Sequence, residues 1–145
     1  MCDAQSMSEG PTTTLHTYLG YRDATAAIEW LHRALGFDLV RLWPEDGDTI
    51  VHAELRRGDA ALTLYSDEVG YDRPPVKGDT CGIGIYLAVP ASEDVDELYA
   101  SATDAGGTSV WAPEQSEWNY RCRVVDPQGV EWTLGTYRPG EPGAW

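Results

Sequence analysis

YLGYRDATAAIEWLHRALGF, residues 18–37, changes its period part-way along. Its opening belongs to an extended run, expected as a strand over Leu15–Tyr21, in which alternate side chains point to opposite faces. After Asp23 the apolar spacing becomes helical: Ala24, Ala27, Ile28, Leu31 and Leu35 fall on one stripe. Asp23 is placed to cap the N-terminus, and Gly36 stands where a left-handed C-terminal cap is wanted, so a helix is expected over Ala24–Leu35. Three strands should follow, at Phe37–Leu42, Thr49–Arg56 and Ala60–Ser66. Pro44 with Gly47, and Gly58-Asp59, mark the turns between them.

The same succession then recurs. Gly82–Val89 has the alternation of a strand, and Ser92 is expected to cap a helix with Glu93, Asp94, Asp96 and Glu97 in its first turn. Val95, Leu98, Tyr99 and Ala102 form that helix's stripe, and Gly106-Gly107 ends it. Strands are expected at Thr108–Trp111, Tyr120–Val125 and Val130–Tyr137. Tyr18-Leu19 matches Tyr86-Leu87 at an offset of 68, and Thr63-Leu64 matches Thr133-Leu134 at an offset of 70. A repeat of that length is no solenoid but a duplicated supersecondary unit. The fold expected is α+β: two tandem βαβββ modules, about 14–66 and 82–138, forming cupped mixed sheets with helices on the convex face. The Gly- and Pro-rich segment 67–81 reads as a linker and residues 1–13 as a disordered leader, leaving one domain over 14–140.

Side-chain parity divides the strands. Ile83, Ile85, Leu87 and Val89 should lie under a helix, as should Leu62, Leu64, Trp132 and Leu134. Gly84, Tyr86 and Ala88 then face the open side, with His16, Tyr18, Thr63, Tyr65, Glu131 and Thr133. Tryptophans 43, 111 and 118 are expected in or beside loops at strand ends.

Composition narrows the partners. The chain has 145 residues, is 42% hydrophobic and 23% charged, and carries a net charge of -14. That sign disfavours nucleic acid and anionic membrane surfaces, and it would steer cationic small molecules inward. Cys2, Cys81 and Cys122 show neither a disulfide framework nor zinc-site spacing, so reduced thiols and a cytoplasmic location are expected. Neither a signal peptide nor a membrane span is indicated.

Three segments together resemble the vicinal-oxygen-chelate superfamily of glyoxalases, bleomycin-resistance proteins and extradiol dioxygenases. Tyr18–Phe37 resembles its opening strand and helix, and HAELRRGDAALTLYSDE (52–68) the third and fourth strands of its PhnB-like or bleomycin-resistance-like subgroup. WNYRCRVVDPQGVEWTL (118–134) is similar to the subgroup's closing motif. The resemblance implies metal-ligand positions at His16, Thr63, Gly84 and Thr133, of which only His16 is a good ligand. A shifted register could recruit His52, Glu54 or Glu131, but none restores a symmetric set. The resemblance therefore implies no metal and no cofactor. It implies a homodimer that sequesters a drug-sized molecule without changing it, as bleomycin-resistance proteins do, while the aromatic content and the acidic balance would favour an aromatic, cationic ligand. The alternative is a lyase, isomerase or dioxygenase of the same superfamily, either metal-dependent or metal-free, the metal-free version using Glu131 or His16 as base.

Ligand-binding residues are thus expected at His16, Tyr18, Thr63, Tyr65, Tyr86, Trp111, Trp118, Glu131 and Thr133, with no catalytic residue assigned. Six tryptophans and eight tyrosines against one phenylalanine suit cavity walls better than a dry core. Trp118, near Arg121 and Arg123, would stack either on a ligand or under an arginine. Asp126-Pro127-Gln128-Gly129 reads as a turn, and Cys122 as inert.

Overall fold

Each half of the chain folds its four strands into one mixed sheet and lays one helix across it. The computed structural model describes residues 14–46, 48–67 and 83–139. In the first module, β1 (Thr17–Tyr21) leads into α1 (Ala24–Leu35), then β2 (Asp38–Trp43), β3 (His52–Arg57) and β4 (Ala60–Ser66). The second repeats this as β5 (Gly84–Ala88), α2 (Ser92–Asp104), β6 (Thr108–Gln115), β7 (Tyr120–Val125) and β8 (Glu131–Gly135). The sheet orders are β1-β4-β3-β2 and β5-β8-β7-β6, so both modules have the same topology. The first and last strands of each are parallel and the other pairs antiparallel. This is the expected α+β duplication. No helix among the described residues is long and apolar enough to cross a membrane.

The helices form for the reasons the spacing gives. The Asp23 carboxylate accepts from the Ala26 amide at 3.0 Å, and Gly36 closes α1 at φ 75°, a conformation costly for any residue with a Cβ. Leu31 and Leu35 of α1 and Leu62 and Leu64 of β4 are buried together, and Val95, Ala102, Val124, Trp132 and Leu134 form the corresponding core in the second module. Ser101 Oγ donates to the Ala34 carbonyl at 2.6 Å and ties α2 to α1. Between the modules, Phe37 packs against Trp132 with ring centroids 6.3 Å apart. The Tyr21 hydroxyl donates to Asp126 at 2.6 Å, and the side-chain amide of Gln128 meets the Asp23 backbone through both its atoms.

Several boundaries differ from expectation. β1 begins at Thr17 rather than Leu15, leaving His16 exposed just before the strand. β5 begins at Gly84, so Ile83 is 72% exposed instead of lying under a helix. Ala91 is the N-cap of α2, with Ser92 already helical; the Asp94 carboxylate reaches back to accept from the Ala91 amide at 3.0 Å. β6 runs on to Gln115, which places Trp111 in mid-strand and not at the strand's end. The expected leader, Gly47, Cys2, Cys81, Gly82 and all of the expected linker but Asp67 lie outside the described residues.

Candidate functional site

Strand pairing decides which side chains share the helix-free face of each sheet, because cross-strand partners point the same way. In the first module Thr63 pairs with Tyr18 on one side and Glu54 on the other, and Glu54 pairs with Arg41. His52 and Trp43 form the neighbouring pair, and Tyr65 lies beside Gly20. The missing Cβ of Gly20 lets the Tyr65 ring settle over the backbone; a methyl there would meet the ring at 2.8 Å. Tyr65 in turn stands edge-on to Tyr18 at 5.0 Å, and Tyr18 stands edge-on to His52 at 6.4 Å. Glu54 is met from two sides, by His52 Nε2 at 2.8 Å and Arg41 Nε at 3.3 Å. The His52 hydrogen bond, against opposing desolvation and with help from Arg41, holds the Glu54 carboxyl below the usual carboxylate range.

The second module builds the same face from different chemistry. Thr133 pairs with Tyr86 and with Arg123, and Arg123 pairs with Trp111. The Arg123 and Arg121 guanidiniums lie over the Trp111 indole, 4.4 and 4.5 Å from its ring centroid. Arg123 Nε also donates to Thr133 Oγ1 at 3.0 Å. Tyr86 leans across the sheet over Gly135, where an added methyl would meet its hydroxyl at 2.5 Å, and that hydroxyl donates to the Tyr137 carbonyl at 2.7 Å. Burial, mainly, raises the Tyr86 pKa and keeps it a neutral donor. Buried Asn119 holds the adjoining turn, its Oδ1 accepting from the Thr136 and Tyr137 amides at 3.0 Å each. Glu131, paired with Gly84, is 7% exposed.

The expected residues therefore divide. Tyr18, Thr63 and Tyr65 gather on one open face, and Tyr86, Trp111, Glu131 and Thr133 on the other. His16 bonds through Nδ1 to the Ala61 carbonyl at 3.1 Å and through Nε2 to Thr14 at 2.8 Å. Trp118 is 54% exposed in the turn before β7 and packs on Tyr137 at 4.8 Å; the tryptophan that carries the arginines is Trp111. Arg121, Arg123 and Asn119 were not among the expected site residues. Parity alone could have found the arginines, which share the face of Thr133 across the register.

The positions implied for metal ligands do not fit a divalent ion. The Thr63 hydroxyl donates to the Thr17 carbonyl at 2.6 Å, Gly84 offers no side chain, and Thr133 already accepts from a guanidinium. A fixed positive charge beside a ligand position repels a second cation. Among the described residues no three His, Cys, Asp or Glu side chains gather as a ligand set, and His52, Glu54 and Glu131 are divided between the two sheets.

Residues 13–134 match the Glyoxalase/Bleomycin resistance protein/Dioxygenase superfamily. The chain belongs to that superfamily. Uncharacterised mycobacterial proteins are similar to it in sequence. The one from Mycobacterium bovis is 34% identical over 83% of this chain and 81% of its own length. One from Mycobacterium tuberculosis is 31% identical over 92% and 78%. Among solved structures, TioX from Micromonospora superposes with a TM-score of 0.66 at 26% identity, covering 88% of this chain and all of that one. A superfamily domain from Frankia gives 0.69 at 16% identity over 89% and 100%, a likeness of fold alone.

On the opposite side of β7 from the arginines, this superfamily member buries Cys122 completely, and burial pushes its thiol up to about 11. In a Cys2→Ser/Cys81→Ser background, iodoacetamide at pH 8 should leave the folded protein unlabelled and label it fully in denaturant. Mass spectrometry showing rapid labelling of the folded protein would contradict that assignment.

Proposed function

We propose that the chain binds a planar aromatic small molecule on the open faces of its sheets and releases it unchanged, acting as a two-fold homodimer in the cytoplasm. The observation that carries this reading is the seating of the tyrosines. Glycine vacancies and hydrogen bonds fix Tyr65 over Gly20 and Tyr86 over Gly135, so the rings meet a ligand already ordered. Of the implied metal positions, meanwhile, Thr63 and Thr133 hold hydroxyls already hydrogen-bonded within the protein, and Gly84 offers no side chain. Dimerisation is supported by exposed apolar side chains of the first module, Tyr18 at 64%, Trp43 at 63%, Val40 at 57% and Val51 at 56%. A partner covering them would need to bury more than roughly 1,000 Å² to make a specific interface. Antibiotic sequestration is the case to test first, and the net charge of -14 would draw a cationic drug toward the protein.

Bleomycin and a set of flat heteroaromatic compounds should be screened by thermal shift and tryptophan fluorescence. A matched ligand at 100 times its Kd adds about 2.7 kcal/mol, enough for a rise of several degrees in Tm. Trp118→Ala and Glu131→Gln should each weaken binding while leaving the free protein folded. Turnover of a thiohemiacetal or a catechol would instead establish the lyase, isomerase or dioxygenase alternative. A monomer in sedimentation at micromolar concentration would remove the dimer from the reading.

A further inference from the structure

We infer that the open face of the second module receives the acidic end of its ligand, with Arg123 and Arg121 over the Trp111 indole forming a seat for a carboxylate attached to an aromatic ring. The inference rests on the binding reading above and fixes the sign of one ligand group.

Its basis is a contrast between two positions that the duplication makes equivalent. Across the first sheet, register sets Arg41, Glu54, Thr63 and Tyr18 in one row. Across the second, the same row is Trp111, Arg123, Thr133 and Tyr86. The threonines and tyrosines correspond, and the charge between threonine and outer strand is reversed. In the first module that charge is met within the protein, since Glu54 binds both His52 and Arg41. In the second it is not. Arg123 uses Nε on Thr133 and lays its guanidinium over Trp111, and among the described residues it forms no ion pair. Arg121 Nη1 is buried with no hydrogen-bond partner, and its ion pair with Glu114 is long, at 3.7 Å, to a carboxylate 66% exposed.

Two guanidiniums gathered over one indole repel each other, and half-burial weakens the solvent screening of that repulsion. A carboxylate bound between them would satisfy the idle donors through charge-assisted hydrogen bonds, in the planar geometry that guanidinium favours. The ring attached to it would lie along the row toward Tyr86, which is part-buried and whose hydroxyl is already engaged. The chain's net charge does not oppose this. Exposed charges are screened beyond about 8 Å at physiological salt, so a group in contact with Arg123 responds to the arginines first. A ligand that is cationic as a whole can still present an acidic group here.

The test uses three probes of one shape: 2-naphthoate, 2-naphthylmethanol and 2-naphthylmethylammonium, titrated into the full chain at pH 7 by calorimetry and tryptophan fluorescence. Naphthoate should bind about tenfold or more tighter than the alcohol, as one charge-assisted pair predicts. Arg123→Gln should remove that advantage, bringing acid and alcohol to about equal affinity, while Arg123→Lys restores only part of it. Arg121→Gln should act in the same direction, and serves if Arg123→Gln does not fold. Equal binding of acid and alcohol, or preference for the ammonium, overturns this inference and leaves the aromatic binding reading intact. Failure of all three probes overturns both.

Discussion

Asp126→Ala is expected to lower the stability of the domain by about 3 kcal/mol or more, because one carboxylate serves four donors at the module boundary. Oδ2 accepts from the Tyr21 hydroxyl at 2.6 Å and from Trp132 Nε1 at 3.3 Å. Oδ1 accepts from the Gln128 and Val130 amides at 2.9 and 3.0 Å. Asp126, Tyr21 and Trp132 are all buried, so water cannot readily replace the lost acceptor. Tyr21→Phe removes one bond while leaving Asp126 three donors, and should cost about 1 kcal/mol. Urea denaturation of both variants checks the order. The pH profile gives a second readout. Burial, then the charge and hydrogen bond of Asp126, raise the Tyr21 pKa well above its ordinary value. A raised folded-state pKa gives stability that is complete below the unfolded pKa, near 10, and declines above it. The wild type should therefore lose stability above about pH 10 more steeply than Tyr21→Phe. Equal stability of Asp126→Ala and wild type would show that the modules are joined by other means.

That carboxylate also marks where the sequence stopped being informative. The turn at Asp126–Gly129 is legible from its residues, and it forms as such, with Gly129 at φ 99° and the Asp126 amide bonded to the Val130 carbonyl. Its second role depends on Tyr21, 105 positions earlier, and no local pattern encodes a partner so distant. The modules themselves were legible because each boundary has a local cause. α1 matches its expected span residue for residue, being fixed by Asp23 and Gly36, whereas α2 is capped at Ala91 because Asp94, and not Ser92, supplies the cap bond. The offsets found between Tyr18 and Tyr86 and between Thr63 and Thr133 emerge as strand register, each tyrosine lying beside its own threonine. The end of β6 was not legible. Its pairing with β7 shifts register between Ser109 and Trp111 and again before Glu114, around Pro113, and so carries Trp111 under the arginines. Arg121 and Arg123 were visible as residues, but their meaning lies in what faces them across two strand pairs.

Trp132→Ala should destabilise the protein by about 3 to 5 kcal/mol, the range for emptying a buried aromatic site. Trp132 has no solvent exposure, packs on Phe37 of the first module and donates to Asp126, so its ring joins both cores and the polar junction. Leu64→Ala, at an equally buried position beneath α1, removes a smaller side chain from one module and should cost about 2 to 5 kcal/mol. Trp132→Phe keeps most of the ring volume and loses the donor, and should fall well short of Trp132→Ala. The comparison separates one cooperative unit from two adjoining ones. If both cores melt together, each variant shifts the urea midpoint without changing the slope, and fluorescence and circular dichroism report one transition. If the junction is weak, Trp132→Ala should unfold the second module first, with a lower slope and two non-coincident transitions. The Tyr21–Asp126 bond, the Asp23–Gln128 bonds, the Ser101–Ala34 bond and the Phe37–Trp132 contact cross the boundary, which favours the single transition. Rigidity at that boundary would also fix the relation between the two open faces, so a ligand reaching both would meet them already in place.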